Sequence, residues 1–228
     1  MLHHVTYVPP RPGMSEHAAK RHWLDVQGPR YARGLPEIHA YLIATTLRST
    51  DGRVSPLGMG SAEMWLAGGD QWAALLRAEA FHRARGHEPD FSAYWRATAL
   101  LTEDHVLVPG PGPVAPKAAV KLQLAVKRRA GLALETFRQR ALVGLGALVP
   151  SVPGLLRHVQ CHAVDRAYAV GEPTLDAVFQ LWFPTSELAR KAQASEPYAE
   201  LSGELAAIAE PRWTHTLLTR EHWYVKPR

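Results

Sequence analysis

The chain repeats itself. Shifted by 117 residues, Pro36 falls on Pro153, Pro56 on Pro173 and Trp65 on Trp182. Glu79 falls on Glu196 and Gly86 on Gly203. Leu100-Leu101-Thr102 falls on Leu217-Leu218-Thr219, His105 on His222 and Val108 on Val225. The comparison needs no gap. Its weight lies in the tryptophan pair and in LLTEDHVLV set against LLTREHWYV. Between the repeats runs Pro109-Gly110-Pro111-Gly112-Pro113-Val114-Ala115-Pro116. Four prolines in eight residues continue neither a helix nor a central strand. The expected division is repeat one over 1–109, a linker over 110–119 and repeat two over 120–228. Each repeat is at the small end of domain size, which favours a shared core.

Within each repeat the periodicity gives the same elements. A first strand is predicted over His3–Val8, and over Val120–Val126, where Val120, Leu122, Leu124 and Val126 alternate with Lys121 and Gln123. Ser15 is placed to cap a helix that Gly28-Pro29 interrupts. Its counterpart runs from Leu134 to Val149. Second strands follow at Ile38–Thr46 and Leu155–Ala163, and third strands at Ala62–Leu66 and Ala177–Phe183. Loops with Asp51-Gly52 and Gly171-Glu172-Pro173 separate them. Second helices are predicted over Asp70–Arg85 and Ser186–Ala209, the latter broken at Pro197. Fourth strands lie at Leu100–Val108 and Thr216–Val225. The order is βαββαβ, twice, an α+β ferredoxin-like arrangement. Its antiparallel sheet carries helices on one face only. The second copy supplies the missing cover, sheet face to sheet face, as an α/β barrel.

Composition narrows the classes. Hydrophobic content of 46% supports a core, and charged content of 21% argues against disorder. No run approaches the roughly 20 apolar residues that span a bilayer. MLHHVTYVPP has no basic-then-apolar pattern of a secretory signal. Cys161 is the one cysteine, so no internal disulfide forms and a reducing, cytoplasmic setting is expected. The net charge of +5 is scattered apart from Lys127-Arg128-Arg129, which argues against a nucleic-acid partner. Walker, GxGxxG and GxSxG signatures are absent.

The segment HAAKRHWLDVQGPRYARGLPEIHAYLI, with Trp23, Pro29, Leu35-Pro36 and Tyr41, resembles the EthD family of the dimeric α/β-barrel superfamily. Repeat two keeps Phe137, Val152-Pro153-Gly154 and His158. The third strands carry the matching Glu63-Met64-Trp65 and Gln180-Leu181-Trp182. The family's usual helix histidine is Gln27 in repeat one and Gly144 in repeat two. The resemblance implies a cavity for an apolar or aromatic small molecule. Relatives include cofactor-free oxygenases, polyketide cyclases, lactone isomerases and haem-handling enzymes.

Taking the more apolar strand face to pack on the helices sets a second group of residues facing the barrel. In repeat one these are His4, Thr6, Tyr41, Ile43, Glu63, Trp65 and His105. In repeat two they are Lys121, Gln123, His158, Gln160, His162, Gln180, Trp182, His222 and Tyr224. His4, His158 and His162 are candidates to move a proton, and so is Glu63, with a carboxyl raised by desolvation. Tyr41, Trp65, Trp182 and Trp23 are candidates to hold a flat substrate. His158 and His162 lie about 13 Å apart on a strand, at roughly 3.3 Å per residue, too far to share a metal. The expected activity is cyclisation, isomerisation or oxygenation of an aromatic or polyketide-like compound, with no cofactor. A haem enzyme with His158, His162 or His222 as axial ligand and a non-enzymatic ligand-binding protein are the alternatives. The expected working form is a monomer with an internal pseudo-dimer, or a homodimer.

Overall fold

The computed structural model describes residues 1–35, 38–47, 57–169 and 171–227. The expected features at Pro36, Asp51-Gly52 and Pro56 lie outside these residues. The chain forms two compact units, Met1–Leu101 with Arg220–Arg228, and Thr102–Thr219. Strands β1 (Leu2–Tyr7), β2 (Ala40–Thr46), β3 (Gly60–Leu66), β4 (Thr98–Val108), β5 (Val120–Arg128), β6 (Arg157–Ala163), β7 (Ala177–Phe183) and β8 (Ala209–Val225) realise the βαββαβ order twice. They are hydrogen-bonded in the closed order β1-β3-β2-β8-β5-β7-β6-β4, an antiparallel eight-stranded barrel in an α+β chain. β4 and β8 each contribute residues to both units.

The helices of unit one are α1 (Glu16–His22), a π-helical turn (Trp23–Gln27), α2 (Gly28–Gly34), α3 (Gly69–Arg77) and α4 (Glu79–Arg85). Ser15 caps α1 as expected, its hydroxyl accepting from the Ala18 N–H at 3.2 Å. Gly28-Pro29 does not end the helix. The π turn widens the coil so that the proline sits at the start of α2, where its missing N–H and fixed φ are tolerated.

Unit two has α5 (Leu134–Gln139), a second π turn (Arg140–Leu145), α6 (Gly146–Leu148), α7 (Asp165–Tyr168), α8 (Ser186–Gln193) and α9 (Glu196–Ile208). Thr185 and Ser195 cap α8 and α9. β8 starts at Ala209, earlier than expected, because a bulge between Val126 and Arg128 carries its pairing on to that residue.

The repeat is not gap-free. His3 pairs with Trp65 in β1, and Lys121 pairs with Trp182 in β5, so the first strands correspond at an offset of 118. The π turns follow the same offset: Gly28 N–H reaches the Trp23 carbonyl and Gly146 N–H the Ala141 carbonyl. From β2 onwards the offset is 117, since Ala40 and Arg157 face those same two tryptophans. Gln27 therefore corresponds to Leu145, not to Gly144.

In unit one, His4 and Tyr41 both pair with Met64, and Thr6 and Ile43 both pair with Ala62. These residues share the face that packs on the helices, through Trp23, Tyr31, Leu35, Leu75 and Phe81. Val5 and Leu42 face Glu63, and His3 faces Trp65, on the other side. In unit two the register sets His158, Gln160 and His162 on the face of Leu181, Phe179 and Ala177. Lys121, Gln123, Gln180 and Trp182 lie on the opposite face.

Candidate functional site

Unit one holds a cavity of about 240 Å³ between the sheet and the helices. Met64 and Ala62 form its floor, with His4 and Thr6 on one side and Tyr41 on the other. The helices contribute Trp23, Gln27, Tyr31, Trp72 and Phe81. The segment after α4 contributes Glu88, Phe91, Ser92 and Tyr94. That segment is there because α4 ends at Gly86, and the chain then takes short 3-10 turns at Glu88–Asp90 and Tyr94–Arg96. Arg85, Leu76 and Tyr94 are solvent-exposed and mark the open side.

The corresponding place in unit two is shut. Phe179 stands where unit one has Ala62. Leu124, Leu145 and Val149 replace Thr6, Gln27 and Tyr31. α9 runs on without the early break and lays Leu201 and Leu205 into the space. About 10 Å³ is open there, beside His158 and Gln160.

Burial governs the polar groups of the unit-one cavity. The His4 imidazole is lowered to about 4, first by desolvation and then by the charges of His3 and Arg85. Its ring lines the cavity, and desolvation keeps it neutral at physiological pH. Thr6 Oγ1 lies 3.3 Å from its Nδ1, and the Trp72 ring stands 4.6 Å from it, centroid to centroid. Tyr31 donates its hydroxyl to Glu88 Oε1 at 2.7 Å, and Arg85 Nε stands 3.6 Å from the other carboxylate oxygen. Burial, then the Glu88 charge and hydrogen bond, push the Tyr31 phenol far up. Tyr41 is pushed up by burial, then by Tyr224 and Glu88. Among the described residues its hydroxyl has no hydrogen-bond partner. Gln27 is committed at both ends, donating to the Ala84 carbonyl at 2.7 Å and accepting from Arg30 at 3.2 Å.

Of the residues chosen from sequence, His4, Tyr41 and Trp23 meet in this cavity. Glu63 and Trp65 do not. Strand alternation puts them on the opposite face, where Glu63 accepts from Ser61 Oγ at 2.8 Å and stands 3.6 Å from His3 Nε2. Trp65 stacks on His3 at 4.0 Å and on Trp223 at 5.7 Å. His158 and His162 were expected on a barrel face with Trp182, but they face the helices of unit two. His158 contacts the Gln180 carbonyl through Nδ1 at 3.0 Å, and His162 contacts Gln160 at 3.0 Å and His105 ring to ring at 5.3 Å. Trp182 lies between Lys121 and Arg157, at 5.3 and 5.1 Å from its ring centre. Tyr224 and His222 belong to unit one's helix-facing side, with Tyr224 against Tyr41 and His222 against Thr45.

Tyr31, Trp72 and Glu88 were not singled out by the sequence, and Gln27 only as the replacement of the family's helix histidine. Tyr31 and Gln27 flank the Gly28-Pro29 pair, and Glu88 sits in a turn too short to show periodicity.

No protein-family model matches the chain, and no curated protein matches it in sequence. Solved structures do match it in fold. An anthrone oxidase-like protein is 10% identical, with a TM-score of 0.67 over 100% of this chain and 94% of that one. A candidate monooxygenase from Fusobacterium nucleatum is 5% identical, with a TM-score of 0.60 over 97% and 93%. A candidate monooxygenase from Lactobacillus acidophilus is 10% identical, with a TM-score of 0.58 over 97% and 94%. The chain thus shares the fold of these proteins, and at such identities the likeness is one of fold.

Proposed function

We propose that the protein is a small-molecule oxygenase that needs no bound cofactor and acts on an enolisable or phenolic fused-ring compound in the unit-one cavity. The observation that carries this reading is the asymmetry between the units. Equivalent positions are polar and open around His4 and Tyr41, and apolar and filled around His158. A site kept in one copy and closed in the other is a site in use. The volume lies just below the roughly 300–1,000 Å³ of drug-sized pockets, which suits a compact, flat molecule between aromatic walls.

The Thr6 hydroxyl lies 3.3 Å from Nδ1 and 3.5 Å from Nε2 of His4, and the unprotonated nitrogen of the neutral ring takes a proton from an acidic C–H or O–H of the substrate. The anion left behind is stabilised by the Tyr41 hydroxyl, which burial keeps protonated. The electron-rich carbon then reduces dioxygen and forms a C–O bond. Loss of a second hydrogen and cleavage of the O–O bond yield a carbonyl and water, so a CH₂ group plus O₂ becomes C=O plus H₂O. Because burial disfavours the imidazolium, His4 hands its proton on to the peroxide readily. Cyclisation or isomerisation of a polyketide-like substrate begins with the same proton abstraction. The EthD resemblance and the names of the fold relatives, an anthrone oxidase-like protein and two candidate monooxygenases, support the oxygenase branch.

The haem alternative requires an axial histidine beside open space. His158 faces only about 10 Å³, and His222 is engaged with Thr45 at 3.2 Å. The protein is expected to work as a monomer, since its two repeats supply all eight strands of the barrel.

Oxygen uptake with anthrone as the probe tests the reading, on protein treated with chelator and free of visible absorbance. Uptake by the wild type that is lost in Ala62→Phe, which fills the cavity, supports it. Equal uptake by that variant, or none by the wild type across anthrones and naphthols, overturns it.

A further inference from the structure

We infer that Tyr224, from the last strand of repeat two, is a positioning residue for the unit-one cavity, acting through the π turn at Trp23–Gln27. This rests on the cavity being the substrate site.

The argument starts with one carbonyl. In the π turn the Gly28 N–H reaches back five residues to the Trp23 carbonyl. In that register the next carbonyl, Leu24, needs the N–H of residue 29. Residue 29 is Pro29, which has none. The place is part-buried, and a carbonyl left unpaired there costs free energy. The Tyr224 hydroxyl donates to it at 2.6 Å.

The approach depends on Gly28. A Cβ there would lie 2.4 Å from Tyr224 Cζ, against the stiff ring itself. The tyrosine crosses the helix where the helix has no side chain. The same ring then lies 5.7 Å from that of Tyr41, centroid to centroid. Tyr224 thus holds two cavity walls: Tyr41 directly, and Trp23 and Gln27 through the turn they bound.

Unit two provides an internal control. Its π turn has the same register, with Gly146 N–H on the Ala141 carbonyl. The residue matching Pro29 is Ala147, which carries an N–H. The residue packed on Gly146 is Leu107, whose Cδ1 lies 3.1 Å from where a Cβ would be, and it has no hydroxyl. The proline and the tyrosine hydroxyl occur together in the unit with the open cavity. Both are missing from the unit whose cavity is filled. π turns are frequent at functional sites, and here Trp23 and Gln27 at the two ends of the turn both line the cavity.

The test uses Tyr224→Phe and the double variant Tyr224→Phe with Pro29→Ala, which restores an N–H for Leu24. Two readouts are taken on the full-length protein: hydrogen exchange of the amides in residues 23–31, without any ligand, and KM and kcat with anthrone. Tyr224→Phe is expected to speed exchange in this segment and raise KM about fivefold, the lower end for an orphaned acceptor, with a smaller change in kcat. The double variant is expected to restore both. Unchanged exchange in Tyr224→Phe overturns the pin. Faster exchange with unchanged KM overturns the positioning role, provided Ala62→Phe abolishes turnover. If Ala62→Phe also leaves KM unchanged, it is the cavity reading that has failed, and the inference falls with it.

Discussion

Ala62 of β3 and Phe179 of β7 hold equivalent places in the two units, and the benzyl group of one fills the space that the methyl of the other leaves open. Each therefore serves as the natural substitution for the other. Ala62→Phe is expected to abolish turnover at little cost in stability, since it fills a void that already exists. Phe179→Ala is expected to cost about 3–5 kcal/mol, as for large-to-small changes in a packed core. Urea unfolding of both variants beside the wild type checks the pair. A stability loss in Ala62→Phe as large as that in Phe179→Ala would mean the unit-one space is not a true cavity.

His4 should set the acid limb of the reaction. Its imidazole sits at about 4, so kcat/KM is expected to stay level from neutral pH down to about 5 and to fall with a midpoint near 4, as the base becomes protonated. His4→Gln should lower kcat by about 10²–10⁴, the usual worth of a general base, with KM little changed. A midpoint at the ordinary histidine value in the profile would place a different, well-hydrated base in the reaction.

Buried histidines also make the fold acid-sensitive. His4 and His158 titrate at about 4, and His162 at about 3, each lowered chiefly by burial. Their pKa is lower folded than unfolded, so between pH 6.5 and 4 the unfolded chain binds more protons. Stability contributed by the neutral rings is present above 6.5 and is lost as pH falls toward 4. His158→Gln is expected to flatten that dependence by roughly 1.4 kcal/mol per pH unit, one proton's worth. Urea midpoints measured from pH 7 to 4 give the slope, and identical slopes would count against a neutral, buried His158.

Asp176 is the electrostatic centre of unit two. Its side chain is fully buried and accepts from the Arg128 backbone N–H at 2.8 Å and from Tyr168 at 2.5 Å, with Lys127 Nζ at 3.0 Å. Asp176→Asn removes the charge that Lys127 and Arg128 both face. A loss of about 3 kcal/mol is expected, the lower end for a broken buried pair because both cations are partly hydrated. Thermal unfolding tests it, and a change within 0.5 kcal/mol or so would mark the network as a surface one.

The duplication, the βαββαβ order and most strand limits were legible because they rest on periodicity and on paired residues such as Trp65 and Trp182. The face assignment was not. In β1 the side toward the helices carries His4 and Thr6, while the other side of β3 carries Ser61 and Glu63, so polarity does not separate the two faces. Choosing the aromatic and polar residues of each strand mixed residues from both faces. Register resolves them, and register comes only from partners. The helix through Gly28-Pro29 was hidden for another reason. A proline ends an α-helix by the loss of one hydrogen bond, and here the partner of that carbonyl lies 200 residues away along the chain.

Each unit takes in the end of a strand that begins in the other, and unit one is thereby made of two separate stretches of polypeptide. Repeat one on its own, as a symmetric pair of identical chains, would bring Leu107 rather than Tyr224 over Gly28, and the Leu24 carbonyl would face a methyl group. Joining the repeats in one gene fixes their ratio at one to one and lets each specialise for its neighbour. Severed at the proline-rich connector, the two halves should recover function only when mixed. Neither half alone should do so, however well it folds.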